Sequence, residues 1–463
     1  MVIVAASTIR PGDAPWINDE PLLMQMAIRQ NATPSRFLKI AFPFTPAAYG
    51  LKGTRGARYG PVPVWLDQIF LAFTRNPVLM LAIRAGLVTA ITGISLFWLC
   101  RTMRFSPWLA VVVMLSPWLF FYARQLWDNS LGIPISALML AAYADFLSSR
   151  WAWSVRLAVF CAMLLVLTHF MAIPIVVAIG VHLAVVEFRS LWRFKWSIAV
   201  IIVVILGISR PYWNYLYHNY HHSIPGGTSP SLGWFFPLLG AHHLSAAGLQ
   251  DIFGATWPDP MPRILSIAVA ITTLEYLASW VGMLLTIPSV WRVARQSERA
   301  STDDQVYSVV WIAVIFQCLL YGPLHVYEGA HYFNAAWICF AAFAFRTVKA
   351  APKWCAPILA VYAAAQILIV ATIAVTISRD CGMRSPNYGT ALSNQIAAVR
   401  QMERYSADSP RQIDVPEWSE HPRTPAVLEI LLPPPPGARP RGNLVIRFRD
   451  AFPGDAGIVV TNH

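Results

Sequence analysis

Long apolar runs, many of them near the length of a bilayer crossing, recur through the middle of this chain, and short connections carrying arginine and lysine separate them. A helix needs about 20 predominantly apolar residues to cross a membrane, so the runs read as spans. Composition gives an independent signal. The chain of 463 residues is 56% hydrophobic and only 13% charged, with a mean hydropathy of +0.51. Soluble proteins carry about 25% charged residues. Too little polar surface remains here to cover a water-soluble body of this size.

The runs predict about ten spans, at 78-100, 106-123, 130-147, 154-169, 170-187, 195-209, 264-288, 306-323, 332-348 and 355-377. Several are short for a straight crossing and call for tilt or local thinning. Every second connection is basic: Arg101 and Arg104; Arg150 and Arg156; Arg189, Arg193 and Lys195; Arg292, Arg295 and Arg299; Arg346, Lys349 and Lys353. The positive-inside rule makes these five cytoplasmic. It leaves 10-77, the turn 124-129, loop 210-263, the turn 324-331 and the tail from 378 outside. The net charge of +12 is then a topology and lipid-headgroup signal, and no nucleic-acid motif accompanies it. Residues 1-9 (MVIVAASTI) are apolar but too short to span, and read as the remnant of a first helix.

Three regions follow. Residues 1-77 form an outer first segment with amphipathic stretches at 19-30 and 62-73, which suit the membrane interface. Residues 78-377 form the bundle, with the aromatic and histidine-rich outer loop 210-263. Residues 378-463 form an extracytoplasmic tail, read as a small α+β domain or a partly ordered segment. It carries a helix expected at 389-405 and strands expected at 426-432, 443-449 and 457-461. The cysteines lie almost wholly in or beside apolar runs without a CxxC pair, so neither a disulfide framework nor a thiolate metal site is expected.

Four outer segments hold residues suited to chemistry. WINDEP, beginning at Trp16, sets Asp19 and Glu20 at a helix start. Those residues suit capping, and a partly desolvated carboxylate beside a membrane also suits a general base. The turn YARQLWDNS holds Arg124 and Asp128, either an interfacial ion pair or a site. RYGPVPVW holds Arg58 and Tyr59 ahead of a proline turn. HVYEGAHY holds His325, Glu328 and His331, whose spacing would admit a divalent metal, although the segment reads better as a turn; no metal site is assigned, and a divalent metal stays open as the one candidate cofactor. Within the spans, Arg84 and Glu275 are the deepest ionisable residues and are expected either to pair or to serve function.

These motifs, in this order and on one side of the membrane, resemble the GT-C glycosyltransferases, specifically the protein O-mannosyltransferase and lipid A aminoarabinose transferase (family 39-like) group. The acidic pair is Asp19-Glu20. The Pro-aromatic segment closing the first loop is GPVPVWL. The turn between later spans is Pro117, Arg124 and Asp128. A polar residue then Pro interrupts LVLTHFMAIPIVV at His169, and the late aromatic turn is AHYFNAAW. The likeness covers about 13-350. The chain departs at Gly60, where the group has a basic residue or His, and at His331, where it has Arg or Lys.

The resemblance implies an all-α polytopic GT-C-like helix bundle in the inner membrane. It implies transfer of a sugar, with inversion, from a polyprenyl-phosphate donor to a lipid, glycan or protein hydroxyl on the extracytoplasmic face. Asp19, Glu20 and Asp128 would be catalytic. Arg58, Arg124, Arg210 and His331 would hold the donor phosphate. Trp16, Tyr59, His169, His325 and Glu328 would line the substrate. A transporter or flippase is the competing class, but no repeat symmetry of the kind transporters show is visible. A polymerase or ligase acting on lipid-linked sugar and a non-catalytic scaffold are further alternatives.

Overall fold

The computed structural model describes residues 3, 7–14, 20–31, 60–219, 263–295, 300–324, 333–351, 355–380, 382–383, 389–397, 411–414, 444–448 and 458–462. Thirteen helices are labelled in chain order: α1 (Glu20–Asn31), α2 (Pro61–Phe73), α3 (Pro77–Thr102), α4 (Pro107–Met114), α5 (Pro117–Ala123), α6 (Asp128–Ser149), α7 (Ala152–Thr168), α8 (Ile173–Val185), α9 (Phe188–Asn219), α10 (Arg263–Arg295), α11 (Thr302–Leu324), α12 (Trp337–Ala350) and α13 (Cys355–Asp380). Prolines set several starts. Pro61, Pro77, Pro107 and Pro117 each open a helix, where the missing N–H costs nothing. Asn76 caps α3 by accepting from the Val78 N–H at 3.0 Å. The same helix stops in a Schellman turn, with Arg104 left-handed at φ 54 and the Phe105 N–H donating to Cys100 O at 2.8 Å.

The interior is apolar, but many large apolar side chains also face outward. On α3, Leu79, Ile83, Leu87, Ile91 and Ile94 are exposed, while Arg84, Thr92 and Ser95 face inward. On α9 and α10, Val200, Val203, Ile208, Ile267, Leu277 and Leu284 are likewise exposed. Apolar exposure on this scale marks a surface meant for an apolar neighbour. Five helices are long and apolar enough to cross a membrane by length and composition. Helix α6 is the most enclosed of these and packs against α3, α7, α11 and α12. Helices α10 and α12 touch closely: a Cβ at Gly282 would lie 1.9 Å from Phe343 O, and Ser279 Oγ donates to Phe340 O at 3.1 Å. Small and hydroxyl residues at such a seam are the usual means of close packing in lipid.

The two ends of the bundle differ in charge. At one end, Lys349 Nζ donates to Met103 O at 3.1 Å and to Asp303 at 2.8 Å, Arg292 Nε donates to Asp304 at 3.0 Å, and Arg150 pairs with Glu187. The described parts of the basic connections thus share this end, as the alternation predicts. Ser301 and Asp304 form a reciprocal capping box there, opening α11. At the opposite end, Arg124 binds the 7–14 segment, and the Leu392 N–H donates to Ala14 O at 3.0 Å. The start of the tail therefore docks on the N-terminal segment.

Several expectations change. The span expected at 106-123 is two short helices broken at Leu115–Ser116. The sequence Ser-Pro-Trp occurs at both starts, so the second proline begins a new helix. Loop 210-263 begins later than expected, because α9 continues past Pro211 to Asn219. Arg84 and Glu275 do not pair: Arg84 meets Asp67, and Glu275 accepts from Tyr362. In the tail, β4 (Leu444–Phe448) and β5 (Ile458–Asn462) match two expected strands and pair antiparallel. An unforeseen β3 (Arg411–Asp414) joins β4 in parallel. Upstream, β1 (Gly382–Met383) pairs with β2 (Gly389–Thr390). The strand expected at 426-432 lies outside the described residues; of the helix expected at 389-405, residues 389–397 are described, with 389–390 in β2 and the helix at 392–397.

Candidate active site

The turn between α5 and α6 carries Arg124, which ends α5, and Asp128, which opens α6. Asp128 is fully buried and accepts from the Asn129 N–H at 2.8 Å. Its place in the first turn of α6 lets the helix dipole stabilise the carboxylate. His169 sits at the extended break after α7, with Nε2 3.7 Å from the Asp128 carboxylate. Its Nδ1 accepts from the Met171 N–H at 3.2 Å. A neutral imidazole accepting at Nδ1 must carry its proton on Nε2, so that proton faces Asp128. Tyr212 of α9 is buried within electrostatic reach of the same carboxylate.

A buried chain of polar groups fixes the turn. Arg84 donates to Trp127 O and, at 3.1 Å, to Ser130 Oγ, while Ser130 Oγ also donates to Trp127 O at 2.6 Å. Arg84 Nη1 lies 3.6 Å from Asp67 of α2, and both side chains are fully buried. The neighbouring Gln68 accepts at its backbone carbonyl from Asn31 Nδ2 at 3.0 Å, which ties α2 to α1. So α1, α2, α3 and α6 are linked from Asn31 to the helix that Asp128 begins.

Arg124 is 5% exposed. It donates to Ile9 O at 3.2 Å and to Arg10 O, and lies over the Phe120 ring at 4.8 Å. Arg10, Asp13 and Arg124 stand together at a cavity of about 320 Å³. Its remaining walls are mainly apolar, from Met114, Leu115, Leu119, Ile367, Ala371 and Ala374. Burial pushes the Asp13 carboxyl above its ordinary pKa, with Arg124 and Arg10 opposing. The arrangement is a greasy slot with a charged rim carrying two guanidinium groups, the chemistry that holds a lipid-linked anion.

Of the residues singled out from sequence, Arg124, Asp128 and His169 are at this end of the bundle, and Asp128 and His169 face each other. Arg210 is instead an exposed residue on α9, with no hydrogen-bond or ion-pair partner among the described residues. Helix α1 begins at Glu20. Asp19, Trp16, Arg58, Tyr59, His325, Glu328 and His331 lie outside the described residues. Gly60, where the resembled group carries a larger residue, touches the end of α7: its N–H donates to Thr168 O at 3.3 Å, and a Cβ would fall 1.7 Å from Leu167 O. No side chain fits there. Sequence reasoning missed Arg10, Asp13, Asp67 and Tyr212. Asp67 alone gave a signal, as a carboxylate within an apolar stretch. No group of three or more potential metal-binding side chains occurs among the described residues.

No family model matches the chain, and no curated protein matches it. Among solved structures, the crystal structure of ArnT from Cupriavidus metallidurans bound to undecaprenyl phosphate matches at 13% identity and a TM-score of 0.49, covering 97% of this chain and 92% of that one. The apo state of the same protein matches at 13% identity and a TM-score of 0.44 with the same coverage. At this identity and these TM-scores, the likeness decides neither the activity nor the substrate of this chain.

Proposed function

We propose that this protein is a membrane glycosyltransferase that moves a sugar from a polyprenyl-phosphate donor to an acceptor hydroxyl on the extracytoplasmic face. One observation carries the reading: an apolar slot ends at Arg10 and Arg124, four residues before the buried Asp128. The lipid tail occupies the slot. Its phosphodiester meets Arg124 and Arg10, joined by Arg58 and His331, and charge-assisted hydrogen bonds stabilise the leaving phosphate. Asp19 takes the proton of the acceptor hydroxyl. The acceptor oxygen attacks the anomeric carbon from the face opposite the phosphate, and the C–O bond to the phosphate breaks with inversion. Glu20 and Asp128 position acceptor and sugar, with His169 fixing the Asp128 carboxylate.

Purified protein incubated with radiolabelled polyprenyl-phosphate sugars and candidate acceptors tests this. Transfer by the wild type and its loss in Asp19→Asn, with insertion intact, are the expected results. Full turnover by Asp19→Asn would remove that residue from the mechanism. Movement of label across proteoliposomes without transfer would identify a transporter instead.

A further inference from the structure

A second slot lies at the opposite end of the same face. It is larger, about 730 Å³, and runs between α4, the end of α12 and the start of α13. Its walls are mostly apolar, with Leu109, Val112 and Leu115 on one side and Leu359, Ala360 and Ala363 on the other. Leu115 lines both this slot and the outer one. Along α13, Ala360 and Ala363 line the inner slot and Ile367, Ala371 and Ala374 line the outer one. These residues fall three or four apart, so they form one stripe on one helix face. The two slots thus follow one lateral track beside α13 and the broken α4–α5 pair, pinched at Leu115.

The inner mouth has its own charge. Arg104 is exposed; its backbone N–H donates to Arg101 O at 3.2 Å, while its guanidinium makes no hydrogen bond or ion pair among the described residues. Lys349 is held over the Phe105 ring at 4.9 Å and donates to Asp303 at 2.8 Å. Among the described residues of the mouth, Asp303 offsets Lys349, so Arg104 leaves that lining with one net positive charge. Trp108, which is 68% exposed, also lines the slot. A tryptophan beside basic residues is typical of the headgroup level.

We propose that this inner slot is a site for an anionic glycerophospholipid of the leaflet facing the basic end. One acyl chain lies against Val112, Leu359 and Ala363, and the phosphodiester meets Arg104 beside Lys349. A glycerophospholipid phosphodiester carries one negative charge, equal and opposite to the mouth. A phosphate monoester would carry about 1.5 to 2 negative charges and leave about 0.5 to 1 of them uncompensated. The proposal does not depend on the reaction assigned to the outer slot.

Trp108 provides the probe. The full chain is reconstituted in phosphatidylcholine nanodiscs containing brominated phosphatidylglycerol or brominated phosphatidylcholine. The Trp108 signal is the difference from Trp108→Phe. Quenching should favour the phosphatidylglycerol by about fivefold, the contribution of one basic residue near the surface. Arg104→Gly should abolish the preference without unfolding the protein, because Gly adopts the left-handed backbone of that position freely. Arg104→Gln should act the same way, and Arg104→Lys should retain the preference. Equal quenching by both lipids, or a preference that survives Arg104→Gly and Arg104→Gln, would overturn the site. Displacement of the phosphatidylglycerol by substoichiometric undecaprenyl phosphate would overturn the occupant.

Discussion

Replacing Arg84 by methionine removes the cation that holds the α5–α6 turn and leaves Asp67 buried without its counter-ion, where burial drives its carboxyl toward the protonated form. The two side chains are fully buried with N and O 3.6 Å apart. At an effective dielectric of about 20, that separation corresponds to about 4–5 kcal/mol of attraction. Breaking one partner of a buried pair typically costs about 3–5 kcal/mol, so the two estimates agree. Among the described residues Asp67 makes no hydrogen bond that would soften the loss. Arg84→Met should therefore destabilise the bundle by about 3–5 kcal/mol, measured by SDS-induced unfolding in mixed micelles. The double variant Asp67→Leu with Arg84→Met removes both charges and should recover most of that loss. Activity should part from stability. Both variants lose the donor to Trp127 O, which sets where α6 begins, and a displacement of about 1 Å at a reacting group costs about 100-fold in rate. The double variant should thus be stable and poorly active. A loss below about 1 kcal/mol in Arg84→Met would refute the buried pair, and full transfer by the double variant would refute the positioning role.

Gly60→Ala puts a methyl group 1.7 Å from Leu167 O; the backbone must shift, and unfolding should show a loss of about 1–3 kcal/mol or more. Asp304 is held down to about 2 from its ordinary 3.8, because hydrogen bonds from Arg292, Ser289 and Ser301 outweigh the opposing desolvation. Its folded pKa lies below its unfolded one, so its contribution is complete above about 3.8 and is lost as pH falls toward about 2. Asp304→Asn should remove that acid dependence and cost about 1 kcal/mol, discounted because Arg292 is largely exposed. At the outer slot, Asp13 carries a raised pKa from burial. Affinity for a polyprenyl phosphodiester should rise as pH falls through that pKa, and Asp13→Asn should bind tightly at all pH values in an equilibrium binding assay. A wild-type affinity that does not change with pH would remove Asp13 from the slot's electrostatics.

Helix positions were legible from sequence wherever a long apolar run coincided with a start signal. The stretch expected at 62-73 is α2, and that expected at 19-30 is α1. The alternation of basic connections was enough to gather Met103, Asp303, Arg292 and Lys349 at one end. Pairing across helices was not legible. Arg84 and Glu275 are both deep in apolar runs, but depth along a helix does not fix which neighbour its face meets. Arg84 found Asp67 on α2 instead. The break at Leu115–Ser116 carried a readable signal, Ser-Pro, which a hydropathy window averages away. Pro211 carried the opposite signal and proved misleading, since α9 continues through it. At the site, Asp128 and Arg124 were legible because turn residues between spans are few. Arg10 and Asp13 were not, because their approach to Arg124 depends on how the first residues fold back.

The catalytic proposal requires the acidic pair Asp19-Glu20 to meet the carboxylate of Asp128, which begins α6. Asp19→Cys with Asp128→Cys, treated in membranes with a bismaleimide spanning about 10 Å, just beyond the roughly 6.5–9.5 Å between the paired carboxyl groups of inverting glycosidases, tests this directly. The proposal expects the 19–128 pair to be joined, and Asp19→Cys with Asp303→Cys, at the other end of the bundle, to stay unlinked. Failure of the first pair to link while the second does would place Asp19 at the wrong end and end its role as the base.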